Sequence, residues 1–273
     1  MSEVLDRGGL PAAGGVRVAA PQAEQTQRLA EMIGQAGSVV ALTGAGMSVP
    51  SGIPDFRTPQ TGLWENVDPM AVAHIDAFRS DPVRFWSFYG QRFATLDDKQ
   101  PNGAHRALVA MERQGLLDAV ITQNIDMLHR KAGTDQLVEM HGSIASCSCL
   151  GCGESVALDA VSSRLARAVD GVPRCAECAQ PLKPDVVLFG ELLCADALER
   201  ARELCEGAEV LLCVGSSLEV HPVAGLPRLT HARGGVVAII TQGRTPLDEL
   251  ASVRLSGDVV AELDALCSAL ELR

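Results

Sequence analysis

The sequence predicts a doubly wound α/β fold, a largely parallel sheet with helices on both faces, joined to a smaller domain. Three observations predict it. A short apolar β-former, Ser38 to Thr43, runs straight into Gly44-Ala45-Gly46, the strand-to-glycine-turn opening of a Rossmann-like sheet. The other strand candidates are continuous apolar runs rather than alternating ones, as expected of strands covered on both faces. Two stretches, one aromatic and one carrying paired cysteines, interrupt the strand–helix rhythm.

In chain order, Glu24 to Ile33 has helical spacing and stops at Gly34 and Gly37. After the first strand, buried strands are expected at Ala119–Thr122, Leu137–Glu139, Val186–Phe189, Val210–Val214 and Val236–Ile240. Helical patterns lie between them at His105–Gln114, Asp196–Cys205 and Val223–Ala232, and a last helix fits Asp258–Leu270. Residues 57–100 hold Trp64, Phe78, Phe85, Trp86, Phe88, Tyr89 and Phe93 at helical spacing, and residues 142–185 hold the paired cysteines. The main domain is therefore expected over 21–56, 101–141 and 186–273. A helical module (57–100) and a zinc-binding module (142–185) would form the smaller one.

Composition narrows the function classes. The chain has 273 residues, 47% of them hydrophobic but only 3% aromatic, so its core must be aliphatic. With 23 basic against 34 acidic residues it lacks the cationic face that gripping nucleic-acid phosphates demands. No apolar run reaches the ~18 residues of a membrane span. Residues 1–20 lack the basic start and continuous apolar run of a secretory signal; their Gly, Pro and Ala content predicts a disordered leader, and the cytoplasm is the expected compartment.

Nine cysteines are present, and four fall in two C-x-x-C knuckles, Cys149/Cys152 and Cys175/Cys178. Four thiolates at this spacing make a closed tetrahedral zinc site, structural rather than water-activating. A redox dithiol or merely buried cysteines would not explain two knuckles bracketing one module. Cys147 lies outside the pattern and is unassigned.

Gly44-Ala45-Gly46 lets backbone amides approach a pyrophosphate, with a helix N-terminus behind them. The third glycine of the oxidoreductase pattern is missing, Val49 standing near its place, and no acidic residue ends a second strand. A plain hydride-transfer dehydrogenase is disfavoured.

Longer motifs carry more. Gly44 to Arg57 reads GAGMSVPSGIPDFR; Thr122-Gln-Asn-Ile-Asp126, His141-Gly142, Val187-Leu-Phe-Gly-Glu191 and Gly215-Ser-Ser-Leu218 follow in order, with His141 eight residues before the first knuckle. In this the chain resembles the sirtuins, the NAD-dependent protein deacylases, from about residue 25 onward. The resemblance implies an NAD site formed by Gly44, Ala45, Gly46, Ser48, Pro54, Asp55, Phe56 and Arg57, with Asp55 and Ile125 lining the nicotinamide pocket. It implies Gln123, Asn124 and Asp126 on the nicotinamide-side ribose, and Gly215, Ser216 and Ser217 on phosphate and adenosine. It gives His141 the role of general base, Asn124 and Asp126 acting with it. Val187, Phe189, Gly190, Glu191 and Val220 would wall a groove in which the peptide adds as a strand.

The implied reaction gives nicotinamide, free lysine and acylated ADP-ribose, and a histidine of near-neutral pKa suits its ribose hydroxyl. Acetyl is the expected acyl group. Tyr89 and Arg92, three apart on a helix, resemble a pair that grips the carboxylate of succinyl- or malonyl-lysine; the alternative is that Tyr89 packs and Arg92 is solvated. Thr241 stands where relatives carry asparagine, and it offers the adenosine ribose fewer bonds. Asn124 and Asp126 could also cap the next helix. His74, His105, His129, His221 and His231 read as surface or structural. Partners implied are acyl-lysine proteins, with acyl-CoA-forming enzymes among them. The competing readings are an NAD-dependent protein mono-ADP-ribosyltransferase and a catalytically idle NAD- or zinc-binding scaffold.

Overall fold

The structure, a computed structural model, describes residues 22–55 and 68–272. The expected leader, Phe56, Arg57 and Trp64 lie outside the described residues.

Helix α1 (Gln22–Gln35) leads into β1 (Val39–Thr43). Two single 3-10 turns follow, Ala45–Met47 and Val49–Ser51. The aromatic stretch forms α2 (Pro69–Ala73), α3 (Ile75–Ser80) and α4 (Pro82–Asp97), the last capped by Asp81, whose carboxylate accepts from Arg84 N, with Pro82 in the first turn. Next come α5 (Gly103–Arg113), β2 (Ala119–Thr122), α6 (Leu128–Ala132) and β3 (Leu137–Glu139). The cysteine-bearing segment is β4 (Gly142–Cys149), β5 (Ser155–Ala157), α7 (Leu158–Arg167) and β6 (Leu182–Val186). The chain then completes α8 (Ala195–Gly207), β7 (Val210–Val214), α9 (Leu226–Ala232), β8 (Val236–Ile240), β9 (Val253–Leu255) and α10 (Val259–Ala269).

Six strands form one parallel sheet in the order β3-β2-β1-β7-β8-β9. Alternate residues face opposite ways. Val39, Ala41, Val120, Leu212 and Ile240 pack with α1, α5 and α10 on one side. Val40, Leu42, Ile121, Leu211 and Ile239 pack with α8 and α9 on the other. Both faces are covered, which is why the strands read as largely apolar runs.

A separate three-stranded antiparallel sheet, β5-β4-β6, shares a third core with α3 and α4. Phe78, Phe85, Trp86 and Phe93 meet Ile144, Val156, Leu182 and Val186 there. The Trp86 indole N–H donates to Leu182 O at 3.0 Å, satisfying its polar edge inside this core.

Three sequence expectations change. The run Val186–Phe189 is not a strand of the main sheet. Its first residue ends β6 in the small sheet, and Phe189 makes a lone parallel bridge to His74. Strand β9 had no sequence signal, because three residues with Arg254 in the centre form a short edge strand with a charged rim. The helix expected over Val223–Ala232 begins as a 3-10 turn, Val223–Gly225, before Pro227 enters the first turn of α9.

Behind β1 and β2 lies a buried polar seam. Thr43 Oγ1 donates to Thr122 Oγ1 at 2.9 Å, and His129 Nε2 lies 3.0 Å from Thr43 Oγ1. The His129 and His105 rings meet edge to face at 4.9 Å. His105 also closes the N-terminal capping box of α5 with Asn102. Burial holds both imidazoles neutral, with pKa lowered to about 4 for His105, where Arg106 adds to the effect, and to about 3 for His129.

These values lie below the 6.5 of an exposed histidine, so as pH falls the unfolded chain takes up protons first. The stability tied to the pair is fully present above pH 6.5 and drains away as pH falls toward 4. Denaturant midpoints should decline over that window, and His129→Asn should flatten the decline. A midpoint indifferent to pH there would contradict the neutral pair.

Candidate active site at the switch point of the sheet

The chain winds from β1 toward β3 on one side and from β7 toward β9 on the other, so the winding direction reverses between β1 and β7. In open α/β sheets the crevice beyond the carboxyl ends of such neighbouring strands is where ligands bind. The loops there are 44–48 after β1, 123–126 after β2, 215–218 after β7 and 241–248 after β8.

The first and third of these loops touch backbone to backbone. Gly46 N donates to Gly215 O at 2.8 Å and Gly44 N to Val214 O at 3.0 Å. A Cβ on Gly46 would stand 2.8 Å from Gly215 O, and one on Gly215, whose φ is +60°, 2.2 Å from Met47 N. The amides of Met47 and Ser48 go to Gly44 O and Ala45 O. This gives Gly44-Ala45-Gly46 a second, structural reason. The turn opens 3-10 turns rather than a long helix, and its glycines allow two loops to approach while most of its amides serve the protein.

A closed polar network joins the first loop to the second. Ser48 Oγ donates to Asp126 Oδ2 at 2.5 Å, and Asn124 Nδ2 donates to Gly44 O at 3.0 Å and to Ser48 Oγ at 3.2 Å. Asp126 Oδ1 accepts from Leu128 N at 2.9 Å, just ahead of α6, whose N-cap residue is Met127. Burial pushes the Asp126 carboxyl upward, and the Ser48 hydroxyl and Leu128 amide pull it back. Asn124 and Asp126 are 8% and 6% exposed. Neither takes the expected capping position, which Met127 occupies; Asn124 grips the first loop and Asp126 bonds the Leu128 amide from one residue further back.

Gln123 ties the third loop to the histidine. Its Nε2 donates to Ser216 Oγ at 2.9 Å, and its carbonyl lies 2.9 Å from His141 Nδ1. A carbonyl can only accept, so Nδ1 carries the proton and Nε2 keeps its lone pair. Burial lowers the His141 pKa, with the Gln123 carbonyl working in the other direction. His141 is half-buried, and its own carbonyl accepts from Val187 N at 2.8 Å.

The remaining expected residues divide. Ala45 lies within the first turn; Pro54 is exposed and Asp55 half-buried just beyond the second. Ile125 O accepts from Ile144 N at 3.1 Å, and its side chain packs on the small-sheet core, at the junction of the two sheets. Ser217 is exposed beside buried Ser216, and Val220 is half-buried. Thr241 is buried at the end of β8, and its carbonyl accepts from Arg254 Nη1 at 2.6 Å.

Of the expected peptide walls, Phe189 is bonded through both backbone groups to Ala73 O and Ile75 N, and the Glu191 carboxylate turns back to Leu188 N at 2.9 Å. Gly190 is exposed beyond them. The Tyr89 ring stacks on Phe93 (centroids 5.4 Å, planes 15° apart) and touches Phe85 and Phe88. Arg92 sits on α4, but its side chain lies outside the described atoms.

Two residues carry no sequence signal yet brace these loops. Arg254 holds the carbonyls of Thr241, Leu255 and Gly243, and Lys183 is buried beside Glu191. Single charges inside apolar runs read as noise until the fold shows which carbonyls surround them.

The four knuckle sulfurs lie within 4.8 Å of one another, with Cys149–Cys178 and Cys152–Cys175 each 3.4 Å apart. A tetrahedron with metal–sulfur bonds of about 2.3 Å has edges of about 3.8 Å, so the cluster fits zinc. Gly151 N and Cys178 N each point at a cysteine sulfur at 3.4 Å, dipoles that favour thiolates. Cys147 is apart from the cluster, its thiol pushed up to about 12 chiefly by burial.

Comparison with known proteins agrees with this geometry. The Sir2 family model matches residues 44–222. An NAD-dependent protein deacylase of Archaeoglobus fulgidus is 38% identical over 240 residues, 88% of this chain and 96% of its own length. An NAD-dependent protein deacetylase of Thermotoga maritima is 39% identical over 230 residues, covering 84% and 92%. A Sir2 structure with a p53 peptide and NAD+ superposes with a TM-score of 0.82 at 37% identity, over 88% of this chain and 96% of that one. Sir2Tm bound to a propionylated peptide gives 0.82 at 35% identity, over 89% and 97%. With its motifs gathered at one switch point and its family model spanning most of its length, the chain belongs to the Sir2 family.

Proposed function

We infer that this chain is an enzyme that consumes NAD to remove acyl groups, acetyl foremost, from lysine side chains of proteins, releasing nicotinamide and O-acyl-ADP-ribose. The observation that carries the reading is the half-buried His141, its Nδ1 engaged by the carbonyl of Gln123, the residue that bridges to Ser216 on the β7 loop. Relatives named for this activity and a Sir2 structure with a propionylated peptide support it.

In this reading His141 Nε2 is the general base for a ribose hydroxyl of NAD. Neutral imidazole is its working form, and desolvation keeps it neutral at physiological pH. Gln123 fixes the tautomer, as an orienting partner does for a catalytic histidine. We assign Asn124 and Asp126 to the nicotinamide-side ribose, since the Asn124 amide oxygen and the Asp126 carboxylate oxygens each accept more than one bond. We assign Gly44, Ala45, Gly46, Ser48, Pro54, Asp55, Ile125, Gly215, Ser216, Ser217 and Thr241 to NAD, and Val187, Phe189, Gly190 and Val220 to the acyl-lysine peptide.

Cys149, Cys152, Cys175 and Cys178 hold zinc, which supplies a cross-link between β4 and the approach to β6 and leaves no coordination position for chemistry. The modules 57–100 and 142–185 would together form the small domain, opposite the main domain of 21–56, 101–141 and 186–273. Acyl-CoA-forming enzymes are proposed among the targets. Four of the nine cysteines forming a thiolate metal site fit a reducing compartment, and we place the activity in the cytoplasm.

The test is incubation with NAD and an acetylated or succinylated peptide, following nicotinamide and peptide mass. Loss of the acyl group with acyl-ADP-ribose formed supports deacylation. Label moved onto protein would identify an ADP-ribosyltransferase, and no nicotinamide release an idle scaffold. The pH profile adds a check. A base whose pKa is depressed is lost only when pH falls through that lower value, so kcat/KM should be flat above neutrality. Its acid limb should lie below 6.5. An acid limb above that value would assign the base elsewhere.

A further inference from the structure

Lys183 lies in β6 opposite Ser148, one register step from the Cys149–Leu182 pair, and is 8% exposed. Its ammonium donates to Val186 O at 2.9 Å and to Pro184 O at 3.2 Å, and lies 2.9 Å from Glu191 Oε2. The same Glu191 oxygen accepts from Leu188 N at 2.9 Å, while Glu191 N donates to Leu188 O at 3.0 Å. Glu191 thus closes a turn around Phe189 and Gly190, and Lys183 ties that turn to the end of β6. On its other edge the segment is held by His141 O through Val187 N and by Ala73 and Ile75 through Phe189.

Burying an ammonium is costly unless charge and hydrogen bonds compensate it. All three of its acceptors lie between Pro184 and Glu191, so the group holds this one segment. The segment also presents Phe189, 42% exposed, beside the crevice. Through β6 it is joined to β4, the strand that carries the first zinc knuckle, across a register shift between Gly142 and Cys147.

We propose that the Lys183–Glu191 pair is a positioning device that sets the 187–191 segment as a wall of the acyl-lysine peptide site, tying it to β6 of the zinc-held sheet across the register shift. This rests on the deacylase reading. The pair acts on peptide recognition, and neither residue touches NAD or the reacting atoms.

The experiment compares Lys183→Met, Lys183→Arg and Glu191→Gln with the unmodified holoenzyme, measuring KM for acetyl-peptide, KM for NAD, kcat, zinc content and melting temperature. Losing a charged hydrogen bond should raise peptide KM about tenfold in Lys183→Met and Glu191→Gln. NAD KM and kcat should stay within about twofold, and Lys183→Arg should recover most of the loss because it keeps the charge and donors. Glu191→Gln, which keeps shape and is partly exposed, decides the matter if Lys183→Met does not fold. Zinc-loaded variants with unmoved peptide KM would overturn the proposal, as would kcat and both KM values worsening together. Absence of acyl loss in the unmodified enzyme would instead overturn the deacylase reading itself.

Discussion

His141→Ala should cost about 10²- to 10⁴-fold in deacylation, the usual contribution of a general base, with the fold, zinc content and NAD affinity retained. Among the described residues the half-buried imidazole has one hydrogen bond, from Nδ1 to Gln123 O. Removing it costs on the order of 1 kcal/mol of stability, too little to unfold a domain whose main core lies elsewhere. Gln123 keeps its bond to Ser216, so the loop around the crevice stays in place. Single-turnover acyl loss, calorimetric NAD binding and a melting curve on one preparation check all three parts. Full activity in the variant, or loss of NAD binding alongside activity, would mean the imidazole is not the base.

Cys149→Ser should have the larger structural effect. A closed thiolate site is worth roughly 10–16 kcal/mol of folding free energy in small zinc modules, as much as the whole stability of an ordinary domain. Cys149 and Cys175 are buried in the same core as Phe85 and Trp86, so losing the metal should disorder α4 along with the knuckles. Near-ultraviolet circular dichroism should report it, because the Trp86 indole is pinned to Leu182 O. Loss of zinc, solubility and activity together is the expected result. One zinc per chain with an unchanged spectrum would show that the four sulfurs do not form the site.

The parallel sheet was legible because helices on both faces make its strands uniformly apolar, and the zinc knuckles because thiolate ligation imposes a spacing. Motif residues such as Gln123, Asn124 and His141 could be named from the chain, but their bonding could not. That Gly46 meets Gly215 follows from β1 and β7 being neighbours, a fact of topology across more than 160 residues. Val186–Phe189 misled because an apolar run looks the same whether it ends an antiparallel strand or lies inside a parallel one. Strand β9 and Lys183 were silent because a lone charge in a short segment shows its meaning only when its carbonyl partners are in place.

The bond from Trp86 to Leu182 spans 96 residues. A ribosome adding about 5–20 residues per second leaves the aromatic face of α4 without its partner for roughly 5–20 seconds. During biosynthesis Phe85, Trp86 and Phe93 of α4 therefore wait for their strand partners long after their helix can form.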